Sequence, residues 1–481
     1  VLDKVKVYET QIQSYIAQNQ MQPAIDKALQ VLHLLGVSLS ESPPQDLNID
    51  ALGNLSEMTD LKQLAALRIL SDIATAVYMA RPDLLPSIIF TMVKLCLDGG
   101  NSVLSCYAYG AYGFFLCTVM EEIDLGYELN KLALRMLDRY KSREITCKLK
   151  HLFNCNILHW KEPARNALSL MPETTLLGLE TGDTQYAAYS AIEYCVTLFA
   201  VGEPLEFVYQ EVEKYNNLVQ KLKQEEQYHY NKITGQLVLN LIGKVTERSK
   251  LTGELFDEVA MLPMLQEKKN TVSLFLFYLA KTILNFLFKD YTQAVKNAIL
   301  AEEYEQSALG LIISAEHNFY YSLSLLALCN SDLEVVGANG CSSLQQSEYL
   351  EQVTTNQQKM KLWADHAPMN FQHKYDLVEA EKARILGQRL LRRKTTEPAL
   401  TVGQYWQASE LYEQAIIGAR DNQYLHEEAI AYELAAEFYL AMGREKIAET
   451  YIREAHYGYV RWQAQAKVAD LEQRYPQFLT K

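Results

Sequence analysis

Residues 429–459 read AIAYELAAEFYLAMGREKIAETYIREAHYGY. Within this stretch Tyr432, Ala436, Tyr439, Gly443, Ala448, Ile452 and Ala455 follow at intervals of four, three, four, five, four and three. Intervals of three and four repeat one face of a helix, and the five-residue step across Gly443 breaks that face where a glycine can take a left-handed turn. Ala436 and Ala448 are small enough to let two helices cross closely, and the tyrosines and Ile452 fill around them. The stretch therefore predicts a helical hairpin. A single hairpin cannot bury its apolar face, so neighbours of the same kind are required.

Those neighbours are present. Tyr8, Tyr15, Ala24, Ala28 and Val31 repeat the phase near the start, with Asn19 where the glycine would stand. Tyr278, Tyr291, Ala294, Ala298 and Ala301 give a third copy, with Asp290 opening its turn, and Ala408, Tyr412 and Ala415 give half of another. The pattern resembles the tetratricopeptide repeat, a helix pair of about 34 residues. The fold class expected is all-α, an α–α superhelix or tetratricopeptide-like solenoid over residues 1–481, bent or two-lobed near 180–270. The clearest units are 5–36, 275–305 and 429–459.

Between the units the chain still reads as helix. Leu61–Tyr78, Tyr107–Met120 and Tyr186–Val201 are too uniformly apolar for one stripe, which predicts burial on most sides. Breaks are expected at 42–44, 98–100, 180–183 and 337–343, where proline, glycine and small polar residues cluster. No run alternates long enough for a sheet. In 481 residues, 49% hydrophobic, there are 21 glycines and 12 prolines, a sparing use that suits long helices. The stretch 273–288 is too short for a membrane span of about 20 residues and carries Lys281 and Asn285, so a buried helix is expected there.

A net charge of −14 argues against a nucleic-acid partner, which needs a basic face. Arg389, Arg392, Arg393 and Lys394 form the compact basic cluster and are the candidate interaction residues; a solvated loop or helix end is the simpler reading. Eight scattered cysteines without CxxC spacing read as reduced thiols of a cytoplasmic protein. The start, Val1-Leu2-Asp3-Lys4, has neither a basic nor an apolar leader region, which reads as a piece of something longer.

Searching for chemistry yields little. GxxxxGK followed by Ser or Thr, protein-kinase signatures, GxSxG and HExxH are all absent, and His426-Glu427-Glu428 matches only a fragment of the last. Cys147, His151, Cys155 and His159 recur every four residues. On one helix they would span about 18 Å, far beyond what zinc bonds of about 2.0–2.3 Å can gather. They read as packing residues. Glu121-Glu122, Glu225-Glu226, Glu302-Glu303 and Glu427-Glu428 are neighbours that point apart on a helix and are expected on solvated faces. The 31 tyrosines could line a peptide groove, but at repeat positions they read as core fillers. No catalytic, cofactor-binding or metal residue is assigned.

Two runs resemble a particular family. Met369-Asn370-Phe371-Gln372-His373-Lys374-Tyr375-Asp376-Leu377-Val378-Glu379-Ala380-Glu381-Lys382-Ala383-Arg384 is one, and His426-Glu427-Glu428-Ala429 through Glu433-Leu434-Ala435-Ala436-Glu437-Phe438-Tyr439 is the other. Both look like the helical region of multidomain signalling ATPases found chiefly in cyanobacteria. So do Tyr457-Gly458-Tyr459-Val460-Arg461-Trp462 with Lys467 and 470–476, and His159-Trp160-Lys161-Glu162-Pro163 with 178–183 and 186–189. The resemblance departs at 389–403, which looks inserted because Leu386-Gly387-Gln388 resumes at Val402-Gly403-Gln404.

That resemblance implies an order of domains: a serine/threonine kinase, an AAA-type signalling ATPase, this helical array, a GAF sensor and a histidine kinase. It carries no catalytic residue onto this chain, and ATP is expected only on the other domains. The function expected is a non-catalytic regulatory scaffold contacting the flanking ATPase, GAF and kinase domains or an external signalling protein, without membrane insertion. The alternative is a small-ligand-sensing helical domain of a transcriptional-activator-like signalling ATPase.

Overall fold

The computed structural model describes residues 2–18, 20–44, 47–143, 145–334, 343–392 and 398–479. Among these the chain is all-α, built of helices packed on their sequence neighbours as in an α–α superhelix, and it contains no strand beyond two isolated bridges. Among the described residues no helix is long and apolar enough to cross a membrane. Two compact units divide the chain. One comprises Val1–Lys161 and Glu173–Ala187, the other Glu162–Pro172 and Ala188–Lys481.

In the first unit, Val5–Ala17 pairs with Met21–Leu35, which packs on Leu61–Ala80, followed by Leu85–Gly99, Val103–Thr118 and Ile123–Tyr140. The uniformly apolar stretch around Tyr107 is buried because its helix has neighbours on several sides. Its crossing with Ile123–Tyr140 is close enough to require glycine. A Cβ on Gly113 would come within 2.6 Å of the Gly126 carbonyl, and one on Gly126 within 2.4 Å of the Gly113 carbonyl. Asn19 lies outside the described residues.

In the second unit, Thr271–Leu287 and Tyr291–Glu302 form a hairpin, as do Pro368–Arg392 with Pro398–Asp421, and Leu425–Ala441 with Glu445–Trp462. Ile312–Glu334 and Ser343–His366 stand between the first two hairpins, and Gln465–Arg474 follows the last and packs on Glu225–Ile242. Of the residues expected to seat the 429–459 hairpin, Ala436, Ala448, Ile452 and Ala455 are fully buried. Gly443 turns at φ +69. Tyr432 and Tyr439 are half-buried, each with its ring against Tyr451, at 5.7 and 5.3 Å between centroids. In the third copy the left-handed position falls on Lys289, φ +65, while Asp290 caps Tyr291–Glu302 by accepting from the Gln293 amide at 3.1 Å. Of the breaks, 98–100 and 180–183 turn through Gly100 and Gly182 at positive φ. Residues 337–342 of the last break lie outside the described residues.

Candidate functional site

The helix Leu425–Ala441 brings Glu427 into its first turn, where an acid meets the positive end of the helix dipole. Facing it, Pro368–Arg392 starts on a proline suited to a first turn and carries His373 and Lys374 inward. Ile312–Glu334 supplies Glu316. The Lys374 ammonium donates to Glu316 Oε1 at 2.8 Å and also to Glu427 Oε1. His373 Nε2 lies 2.5 Å from Glu427 Oε2. No side chain of these four is more than 3% exposed. Aromatic rings close the site: Lys374 Nζ sits 4.9 Å from the Phe319 centroid and 5.4 Å from that of Tyr424, whose ring is 4.6 Å from His373.

Charge is divided unequally in this cluster. Burial raises the Glu316 carboxyl, against the pull of Lys374 and with the push of Glu427. Burial acts the same way on Glu427, but Lys374 and His373 outweigh it and hold Glu427 low. The penalty of burial on Lys374 is likewise overcome by Glu316 and Glu427, so the lysine stays charged. Burial lowers His373 despite Glu427, and pushes His426 down to about 3. At neutral pH the centre is one lysinium against one firm carboxylate, with neutral imidazoles around them.

A second cluster lies on another face of the same helix. Glu433, 3% exposed, accepts from Lys467 Nζ at 2.9 Å and Tyr459 OH at 2.7 Å, and is paired with Lys289 at 3.1 Å and Arg474 at 3.4 Å. Lys467 also donates to the Leu287 carbonyl at 2.7 Å. Lys289 reaches Glu437 at 2.9 Å, and Asp470 pairs with Arg248 at 3.2 Å. A third, smaller group joins Glu381 to Arg384 and Tyr412.

Asn370 binds backbone instead. It donates to the Glu162 carbonyl at 2.8 Å, accepts from the Ala164 amide at 3.0 Å and accepts from Tyr424 OH at 3.0 Å. Arg165 donates to Glu203 and to the Val201 and Gln423 carbonyls.

The runs that carry the family resemblance thus supply most of the buried ionisable groups, among them His373, Lys374, Glu381, Arg384, His426, Glu427, Glu433 and Lys467. Apart from His426, whose ring nitrogens make no hydrogen bond, these groups are paired inside and offer no nucleophile or base at the surface. Their arrangement pins helices together. Buried pairs of this kind are costly to break.

One expectation needs correction. Glu427 is buried, not solvated: adjacent acids do point apart, and that sends Glu427 inward while Glu428 turns to Arg420 at 2.8 Å. Glu316, His426 and Glu427 place donor atoms within 4.8 Å of one another.

Cys147, His151 and Cys155 share the helix Thr146–Asn156, but that helix ends before His159, which sits in the next short turn, Leu158–Trp160. Cys147 donates to the Thr174 carbonyl at 3.5 Å, and Cys155 Sγ lies 3.4 Å from His151 Nδ1. Burial pushes the Cys147 thiol up to about 12 and both histidines down to about 3. Of the basic cluster, Arg389 donates to Gln346 Oε1 at 3.0 Å. The Arg392 side chain, Arg393 and Lys394 lie outside the described residues.

No family model matches the chain. It is 22% identical over 189 residues to a hybrid signal transduction histidine kinase G of Dictyostelium discoideum, covering 39% of this chain and 5% of that protein. The chain therefore spans a small fraction of that relative's length, and the likeness connects it with signalling kinases.

Proposed function

We propose that this chain is a non-catalytic regulatory module of a multidomain signalling kinase, a stack of helix pairs that docks neighbouring ATPase, GAF or kinase domains in the cytoplasm. The observation that carries it is the likeness to part of a signalling histidine kinase, found in a chain whose charged groups with strongly shifted titration are spent on internal pairing. Paired helices repeated along a chain present long surfaces suited to other proteins, and the tetratricopeptide-like spacing of the 429–459 hairpin supports that use. The module transmits nucleotide or sensor state by favouring one of two packed arrangements, through contacts that differ between them.

The test is capture of the 481-residue chain by the ATPase and GAF segments expected beside it, with and without ATP. Nucleotide-dependent capture supports a relay between domains; no capture in either state removes the reading. ATP hydrolysis by the chain alone is expected to be absent, and turnover there would make it an enzyme.

A further inference from the structure

In the Glu316 cluster Lys374 and His373 engage both oxygens of Glu427 but only one oxygen of Glu316. Lys374 takes Oε1 of Glu316, whereas Glu316 Oε2 has no hydrogen-bond partner. His426 is fully buried between the rings of Trp462 and Phe199, at 5.0 and 6.3 Å, and neither of its ring nitrogens is hydrogen-bonded. Its Nε2 lies 3.4 Å from Glu427 Oε1. Buried polar atoms are paired nearly everywhere in folded proteins, so the orphaned Glu316 Oε2 and the unbonded His426 imidazole beside Glu427 call for an occupant.

We infer that Glu316, His426 and Glu427 form an internal site for a divalent transition-metal ion of the zinc class. One imidazole and two carboxylates are a borderline-soft donor set suited to zinc, cobalt or manganese. Their donor atoms lie within 4.8 Å of one another, and coordination at about 2.0–2.2 Å draws such atoms together through small side-chain rotations. Lys374 and His373 stay in place as outer partners, donating to the carboxylates that hold the ion, the usual support of metal-bound acids. The ion would clamp Ile312–Glu334 to Leu425–Ala441. This inference is independent of the docking role proposed above.

The test is a Co²⁺ titration of the 481-residue chain followed by visible d–d absorption, together with melting in Zn²⁺. One equivalent of bound Co²⁺ and a higher melting temperature in Zn²⁺ are expected. His426→Phe, which keeps an aromatic ring between Trp462 and Phe199, should abolish both. Glu316→Gln, which keeps the shape and surrenders the charge, should weaken Co²⁺ binding by roughly tenfold or more, and decides the matter if His426→Phe does not fold. No d–d bands in the unaltered chain, or bands that persist unchanged in the variants, would overturn the site.

Discussion

Lys374 donates to Glu316 at 2.8 Å with both side chains closed off from solvent. Removing one member of such a group strands the others, which costs more than never having had them. Lys374→Met is therefore expected to lower stability by about 3–5 kcal/mol. Replacing Glu316 and Glu427 with leucine in the same chain should recover much of that loss. Urea unfolding compares them, and equal losses in the single and triple variants would show that the pairing is not what matters.

Gly202 and Gly36 have nearly the same backbone, at φ +80 and +79, and different surroundings. A Cβ on Gly202 would lie 2.5 Å from His426 Nδ1 and 3.0 Å from the Leu425 amide, whereas one on Gly36 meets nothing within 4 Å. Gly36→Ala should cost about 1–2 kcal/mol from left-handed strain alone. Gly202→Ala adds a clash in a packed interior and should cost about 1–3 kcal/mol more. Similar melting temperatures for the two variants would mean that the His426 region yields easily.

The Glu433 cluster makes stability rise with pH in two separate windows. Burial alone would raise Glu433, but Lys289, Lys467 and Arg474 hold it below the ordinary carboxylate range. Its contribution is complete above the unfolded value near 4.5 and is lost as pH falls below it. Lys467 is lowered to about 7 by burial, with Lys289 and Arg474 adding to the effect and Glu433 opposing it. Between about 7 and 10.5 the unfolded chain binds the extra proton, so this term makes stability rise with pH. Lys289, held above its usual value, keeps its own proton there. Melting against pH should show an acid limb flattened in Glu433→Gln and an alkaline gain missing in Lys467→Met.

Two tryptophans offer a contrast. Trp406 is 71% exposed and Trp462 is fully buried against His426. Trp406→Ala should change stability by less than about 0.5 kcal/mol, and Trp462→Ala should cost about 3–5 kcal/mol. Thermal melting separates them, and a large loss at Trp406 would place an unrecognised contact on that face.

The helix pairs were legible because small and aromatic residues recur at helical spacing on either side of a turn residue, as at Gly443. The third copy was harder to place in detail. Its left-handed position falls on Lys289, which local preference would not choose, and long-range pairing with Glu433 and Glu437 accompanies it. The buried charges were illegible for a related reason. A lone acid in a helix reads as surface, and only its partners, from segments 53 to 58 residues away in the case of Lys374, make burial tolerable. One signal was available: Glu433 sits in an alanine-rich run with core residues on both sides.

The hydrogen bonds between Asn370 and the 162–164 backbone span 206 and 208 positions. During synthesis at about 5–20 residues per second, the 162–172 segment waits roughly 10–40 s for its partner to leave the ribosome. The unit comprising Glu162–Pro172 and Ala188–Lys481 cannot mature progressively from its front edge, because its first piece is completed by residues made much later. A fragment begun at Ala188 would leave the Asn370 amide without its backbone partners, so any expression boundary has to carry the earlier segment with it.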